Sequence, residues 1–240
     1  MNDDITKKLS VADYFSLVNA ALGFFAIIAL FSSLVPEELK IRVSLTFLLL
    51  ALLADGLDGI IARKTRRSEV GEHIDSMADM TSMGVATSVF VYLSYHDFVS
   101  SSFYSHIYLF IALVFYISAA TIRLSSFYKM KKENYYIGLP VPASSIILLM
   151  LAFIQVGFIM ILPVIVILSA LMISNIDFPK PGRRLDTIAT ILIFLTLLFG
   201  CSYSCVFPLA LLVAILIYTV GGPLYIRFFG QNKIKTFLNK

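Results

Sequence analysis

Apolar stretches about as long as a bilayer is thick recur along this chain, and that recurrence limits its fold more than any other feature. A helix needs roughly 20 residues to cross the hydrocarbon core. Windows of that order fall near 14–34, 41–63, 75–95, 105–128, 140–156, 158–174, 186–200 and 204–222. Of the 240 residues, 59% are hydrophobic, against about 45–50% in a soluble domain. The mean hydropathy is +0.89. The expectation is an all-α polytopic membrane protein with about eight transmembrane helices, forming a single domain over residues 1–240. Residues 1–13 are polar, with Ile5 and Leu9 four apart, which suits a short interfacial helix and equally a disordered tail. The start, Met1-Asn2-Asp3-Asp4, lacks the basic region of a cleavable signal peptide, so the first apolar helix is expected to stay in the mature protein.

The run from Ala143 to Ser174 is too long for one span and is interrupted at Gly157 and Pro163. Two short helices joined by a tight outer turn fit it; one kinked helix would give seven spans instead. Charge placement favours eight. With the N-terminus inside, the inner segments carry Lys7 and Lys8, then Arg63, Lys64, Arg66 and Arg67, then Arg123, Lys129, Lys131 and Lys132, then Lys180, Arg183 and Arg184, then Arg227, Lys233, Lys235 and Lys240. The outer segments carry Lys40 and Arg42. That asymmetry follows the positive-inside rule, and it puts both termini on the cytoplasmic side. Seven spans would leave the basic tail outside.

Within this apolar chain, four aspartates stand in fixed register. The pattern is Asp55-x-x-Asp58-Gly59-x-x-Ala62-Arg63, a spacer of seven residues, then Gly71-x-x-x-Asp75-x-x-x-Asp79. Carboxylates at membrane depth are costly and mark function. Asp55, Asp58 and Ala62 are spaced i, i+3, i+7, on one helix face with Gly59 a turn beyond Asp55; Gly71, Asp75 and Asp79 are spaced i, i+4, i+8 on the next helix. A hairpin through 64–70 brings the two faces together near the inner membrane surface. Capping explains one of the four acids at most, since Leu52, Leu53, Ala54 and Leu57 flank the first pair and Met77, Ala78 and Met80 flank Asp79. Converging carboxylates repel one another unless cations neutralise them. Oxygen donors without sulfur or imidazole suit Mg²⁺ or Mn²⁺. Gly59, Ala62 and Gly71 leave room for a flat or phosphorylated ligand, and Arg63 can pair with a phosphate.

Other features exclude more than they assign. The net charge is +4 and no basic run is interleaved with aromatics, so nucleic acid is not a partner in this reading. His73, His96 and His106 are scattered, without zinc spacing. Cys201 and Cys205 read as free thiols at a helix end rather than a disulfide across so short a loop. Asn19, a lone amide in the first apolar helix, either reaches the ligand or bonds another helix. Ser82 offers a hydroxyl near the acids, or bonds its own backbone.

The stretch Asp55–Asp79 resembles the signature of the CDP-alcohol phosphatidyltransferases, D-x2-D-G-x2-A-R, a spacer, then G-x3-D-x3-D. The usual spacer is eight residues, one more than here. Further segments resemble the branch of that family that uses serine. They are Gly71–Gly84, Ile137-Gly138-Leu139-Pro140-Val141-Pro142-Ala143, and Leu171-Met172-Ile173-Ser174-Asn175-Ile176-Asp177-Phe178-Pro179. Arg123-Leu124-Ser125-Ser126-Phe127-Tyr128 matches that branch's R-L-A-R-F-N only in part, with Ser126 and Tyr128 replacing an Arg and an Asn.

The resemblance implies transfer of a phosphatidyl-type group from a CDP-linked lipid to the hydroxyl of L-serine, with release of CMP. Asp55, Asp58, Asp75 and Asp79 would hold two divalent cations, and Asp79 would also serve as general base. Gly59, Ala62, Arg63, Gly71 and Asn19 would contact the CDP moiety. A serine carboxylate calls for a cation, and Arg123 and Lys180 are the candidates, with Ser82 as a third acceptor-site residue. The resemblance also implies a homodimer. Glycerol-3-phosphate or inositol phosphate are alternative acceptors, for which Arg66, Arg67, Lys129 and Lys131 offer extra cations. A cation transporter would string its acids through the bilayer rather than cluster them at one end, and a purely structural membrane protein has no reason to keep four.

Overall fold

In the computed structural model, residues 9–62, 68, 70–99, 102–126, 135–180, 182–201 and 205–238 are described; the side chains of 58–62, 183–184 and 229–238 lie outside that description. The predicted helix of residues 1–13 therefore falls largely outside it. Ser10 caps α1 (Val11–Phe31), its N–H donating to the Asp13 carboxylate at 2.6 Å. An acid here also suits the positive end of the helix dipole. Pro36 fixes the turn into α2 (Glu37–Ala62). The third window opens with α3 (Gly71–Asp79), continues as a π-helix (Met80–Ala86) and ends as α4 (Thr87–Ser94). A short α5 (His96–Val99) leads to α6 (Phe103–Ser126). Then come β1 (Tyr135–Ile137), α7 (Val141–Phe153), α8 (Phe158–Met172), β2 (Asp177–Pro179), α9 (Arg183–Phe199) and α10 (Val206–Leu238).

Helical segments thus occupy all eight predicted windows, with three differences. The third window is not one uniform α-helix. The last helix runs on to Leu238 rather than stopping near 222. A two-stranded antiparallel pair, β1 with β2, qualifies the all-α expectation. Val11–Phe31, Phe103–Ser126 and Val206–Phe228 are the described helices long and apolar enough to cross a membrane; Val141–Phe153, Phe158–Met172 and Leu185–Phe199 are shorter apolar helices. Large apolar side chains stand outward, Phe110 at 63% and Ile159 at 81% exposure. Apolar surface on that scale needs lipid around it, so this is an integral membrane protein.

By its internal contacts the chain divides into two compact units, Met1–Phe90 and Val91–Lys240. In the first, the short link from Phe31 to Glu37 folds α2 back along α1, with Phe25 and Phe47 ring centroids 6.0 Å apart. α3 and the π-helix run parallel to α1, since Asn19 meets Asp79 and Gly23 meets Ser82. A Cβ at Gly23 would lie 2.6 Å from Ser82 Cα, so only glycine permits this approach. The hydroxyl of Thr87 donates to the Ser82 carbonyl, five residues back, within the wider π turn.

In the second unit, α7 and α8 form an antiparallel pair across the turn Ile154–Gly157, so the run from Ala143 to Ser174 is two helices. Gln155 takes φ +53 in that turn, its amide donates to the Ser94 and Ala152 carbonyls, and Tyr95 Oη donates to the Val156 carbonyl at 2.6 Å. The far end is closed by Gly138 at φ +76, where a Cβ would lie 2.3 Å from the Met172 carbonyl oxygen. Leu139 N–H donates to the Leu171 carbonyl at 3.0 Å and Gly138 N–H to the Ile176 carbonyl at 2.8 Å. Cys201 and Cys205, read from their spacing as free thiols, are joined as a disulfide. Gly200 and Cys205 both adopt positive φ, and the Cα atoms of Cys201 and Cys205 lie 3.8 Å apart.

Candidate active site

Three of the four signature aspartates converge. Asp55 on α2 and Asp75 and Asp79 on α3 each place a carboxylate oxygen within 4.8 Å of the other two. Asp79 is buried and the other two are half-buried. The helical spacing built this: Asp75 and Asp79 are one turn apart on one face, and α1 packs against both α2 and α3. Asp58, Gly59 and Ala62 lie on the last turns of α2, but their surroundings fall outside the described residues, as does all of Arg63.

The cluster is a fit for a hard divalent cation. Its donors are carboxylate oxygens within 4.8 Å of one another, the oxygen-only set that such a cation favours.

α1 supplies more of the site than its apolar sequence suggests. Asn19, fully buried, donates its amide to Asp79 Oδ1 at 3.0 Å. This is the helix–helix bond that the sequence left as one of two readings, and it fixes the Asp79 carboxylate. Asn19 Oδ1 is buried without a hydrogen-bond partner among the described residues. Asp13 and Ser16 are buried on the same face. Asp13 sits against the first residue of α3: a Cβ on Gly71 would lie 2.5 Å from Asp13 Oδ1 and 2.9 Å from Ser68 Oγ. The structure therefore sets Gly71 beside a carboxylate of α1. Asp13 and Ser16 were not among the residues read from sequence as site-forming. Their signal was there: Asp13, Ser16 and Asn19 are polar at i, i+3 and i+6, ahead of Gly23, in an otherwise apolar helix.

Ser82 is buried and donates its hydroxyl to the Ala78 carbonyl at 3.1 Å, with its Cα against Gly23. Its hydroxyl thus serves the backbone of its own helix. His73 is exposed.

Arg123 and Lys180 belong to the second unit. Arg123, near the end of α6, is buried at 6% exposure, in electrostatic range of Tyr136 and Tyr218. Lys180 follows β2 and places Nζ 5.4 Å from the centroid of the Tyr136 ring, a cation–π contact. The segments Ile137–Ala143 and Leu171–Pro179, set apart in sequence, are one structure. They meet through the Gly138 turn, the Leu139–Leu171 hydrogen bond and the β1–β2 ladder, where Tyr135 pairs with Pro179, Tyr136 with Phe178 and Ile137 with Asp177.

With the spans, the acid cluster and its register in place, the class can be stated: residues 9–176 match the CDP-alcohol phosphatidyltransferase family, and the chain belongs to it. The curated relatives narrow the comparison. The chain is similar to a CDP-diacylglycerol–serine O-phosphatidyltransferase of Methanocaldococcus jannaschii, 29% identical over 93% of this chain and 98% of the relative. It is similar to an archaetidylserine synthase of Methanothermobacter thermautotrophicus, 30% identical over 75% of this chain and 74% of the relative. A CDP-diacylglycerol–serine O-phosphatidyltransferase of Helicobacter pylori is 32% identical over 62% of this chain and 67% of the relative.

Proposed function

We propose that this protein transfers a phosphatidyl-type group from a CDP-linked lipid to the hydroxyl of L-serine and releases CMP. The observation that carries the reading is the convergence of Asp55, Asp75 and Asp79 within 4.8 Å, inside the family's signature register. The names of the relatives support serine as the acceptor.

The serine hydroxyl attacks the lipid-side phosphorus of the diphosphate. Its proton passes to the Asp79 carboxylate, the bond from that phosphorus to the bridging oxygen breaks, and CMP departs with the electron pair. Asn19 orients Asp79 for this step. A general base in position is worth about 10²–10⁴-fold. Asp55, Asp58, Asp75 and Asp79 would hold two divalent cations, Mg²⁺ or Mn²⁺, which supply charge neutralisation for the diphosphate and the departing phosphate. Gly59, Ala62, Arg63 and Gly71 face the CDP moiety in this reading. The unpartnered Asn19 Oδ1 is an acceptor for a donor on the nucleotide. Arg123 and Lys180 take the serine carboxylate.

In this reading residues 1–240 are one domain; the family match over residues 9–176 supports it for that part of the chain. The site and both termini face the cytoplasm, the side that the lysine and arginine asymmetry favours. A homodimer completes the proposal, checked by the mass of the detergent-solubilised particle.

The test is the mass of the lipid product. Purified protein is given CDP-diacylglycerol or CDP-archaeol, with serine, glycerol-3-phosphate or inositol phosphate offered separately. The expected product is the serine lipid alone. A product with a phosphorylated acceptor would keep the family and overturn serine.

A further inference from the structure

The second unit holds an arrangement that the signature does not account for. Tyr218, on α10, donates its hydroxyl to the Pro179 carbonyl at 3.0 Å. One turn further, Gly222 leaves a slot for the Pro179 ring, where a Cβ would lie 2.8 Å from Pro179 Cδ. α10 thus grips Pro179 at its carbonyl and at its ring. The next residue is Lys180. The preceding one, Phe178, is fully buried, 6.4 Å from the Tyr218 ring between centroids. Tyr218 is also in electrostatic range of Arg123, Tyr136 and Asp186, and Lys180 lies over Tyr136. Both cations offered above for the serine carboxylate therefore stand in one cluster: Tyr218 holds the strand that leads into Lys180 and lies in electrostatic range of Arg123.

We propose that Tyr218 is a positioning residue for the acceptor subsite: it holds β2 at Pro179, and so sets Lys180 relative to Arg123 for recognition of a carboxylate. The inference rests on the serine-transfer reading above. Tyr218 does not touch the reacting phosphorus in this account; it acts through the strand. Gly222 has the same role by a different means, since its missing side chain is what admits the proline ring.

The experiment is initial-rate kinetics of the full-length protein with Tyr218→Phe, varying serine and CDP-diacylglycerol separately. Losing one hydrogen bond to a neutral carbonyl is expected to raise KM for serine about five- to tenfold, with KM for the lipid and kcat within about twofold. Gly222→Ala should show the same split, because it displaces the same proline. A serine KM unchanged in Tyr218→Phe, or both KM values rising together, would overturn the proposal. Arg123→Lys separates this from failure of the underlying reading. If Tyr218→Phe shows the split while Arg123→Lys leaves serine KM unchanged, Arg123 is not the carboxylate's partner and the proposed geometry falls. If wild-type turnover does not depend on serine, the acceptor reading and this inference fall together.

Discussion

The two compact units put polar groups into an apolar chain by opposite means. In the first, the groups are carried on regular helices and meet because spacing along each helix puts them on one face. Asp75 and Asp79 are four apart; Asp13, Ser16 and Asn19 are three apart. In the second, Arg123, Tyr136, Lys180 and Tyr218 come from α6, β1, the end of β2 and α10, and meet because a strand pair and a glycine turn bring distant segments together. Helical register thus builds the carboxylate cluster from short-range spacing, whereas the acceptor subsite proposed here draws on segments far apart in the chain. Changes in the first unit should therefore strike the chemical step, and changes in the second should strike acceptor affinity or folding.

The sharpest break of that contrast is Asp79→Asn. It keeps the shape and the bond to Asn19 but removes the carboxylate proposed as the base, so kcat should fall about 10³-fold, about 4 kcal/mol, with thermal stability preserved. Steady-state rates and a melting curve check both halves. Next is Gly138→Ala. The substitution needs a positive φ and puts a Cβ against the Met172 carbonyl, where no flexible side chain can yield. The expected loss is about 3 kcal/mol, seen as a large drop in melting temperature with little folded protein recovered.

Arg123→Ala comes third. A charged hydrogen-bond partner is worth about 1.5–3 kcal/mol, so KM for serine should rise about 10- to 100-fold while KM for the lipid donor holds. An equal rise in both would erase the distinction between the units.

The smallest effect is the most discriminating. Gly71→Ala pushes on Asp13, whose carboxylate is held by the Ser10 N–H. The expected loss is about 1 kcal/mol, and it should largely vanish when Asp13→Ala is already present. A double-mutant cycle on melting temperature and activity reads this. A penalty on activity that persists without the Asp13 carboxylate would mean that Gly71 is needed by the ligand instead.

What was legible in the sequence follows the same division. Eight helical segments and the acid register could be read, because both rest on periodicities of a few residues. The break of the run from Ala143 to Ser174 could be read from Gly157, but Pro163, also read as a break, lies inside α8 and does not end it. The π-helix after Asp79 could not be read, since nothing in the spacing of Met80–Ala86 sets it apart from an α-helical segment; the structure shows it where Ser82 lies against Gly23. The β1–β2 pair could not either, because each strand is three residues long and its partner lies some forty residues away. Asn19 drew notice as a lone amide, but its partner, sixty residues on, needed the fold. Asp13 is hard to single out from sequence because it stands among polar residues before the apolar run, where an acid at a helix start is ordinary.

The central claim is that the converging carboxylates hold a divalent cation needed for transfer to serine. The most direct measurement is CMP release from the CDP-linked lipid with serine after chelation, titrated with Mn²⁺, for the wild type and for Asp75→Asn. The account predicts no release without the cation, saturable recovery in the wild type, and a greatly weakened cation dependence in Asp75→Asn. Full release after chelation, or an unchanged titration in the variant, would contradict it.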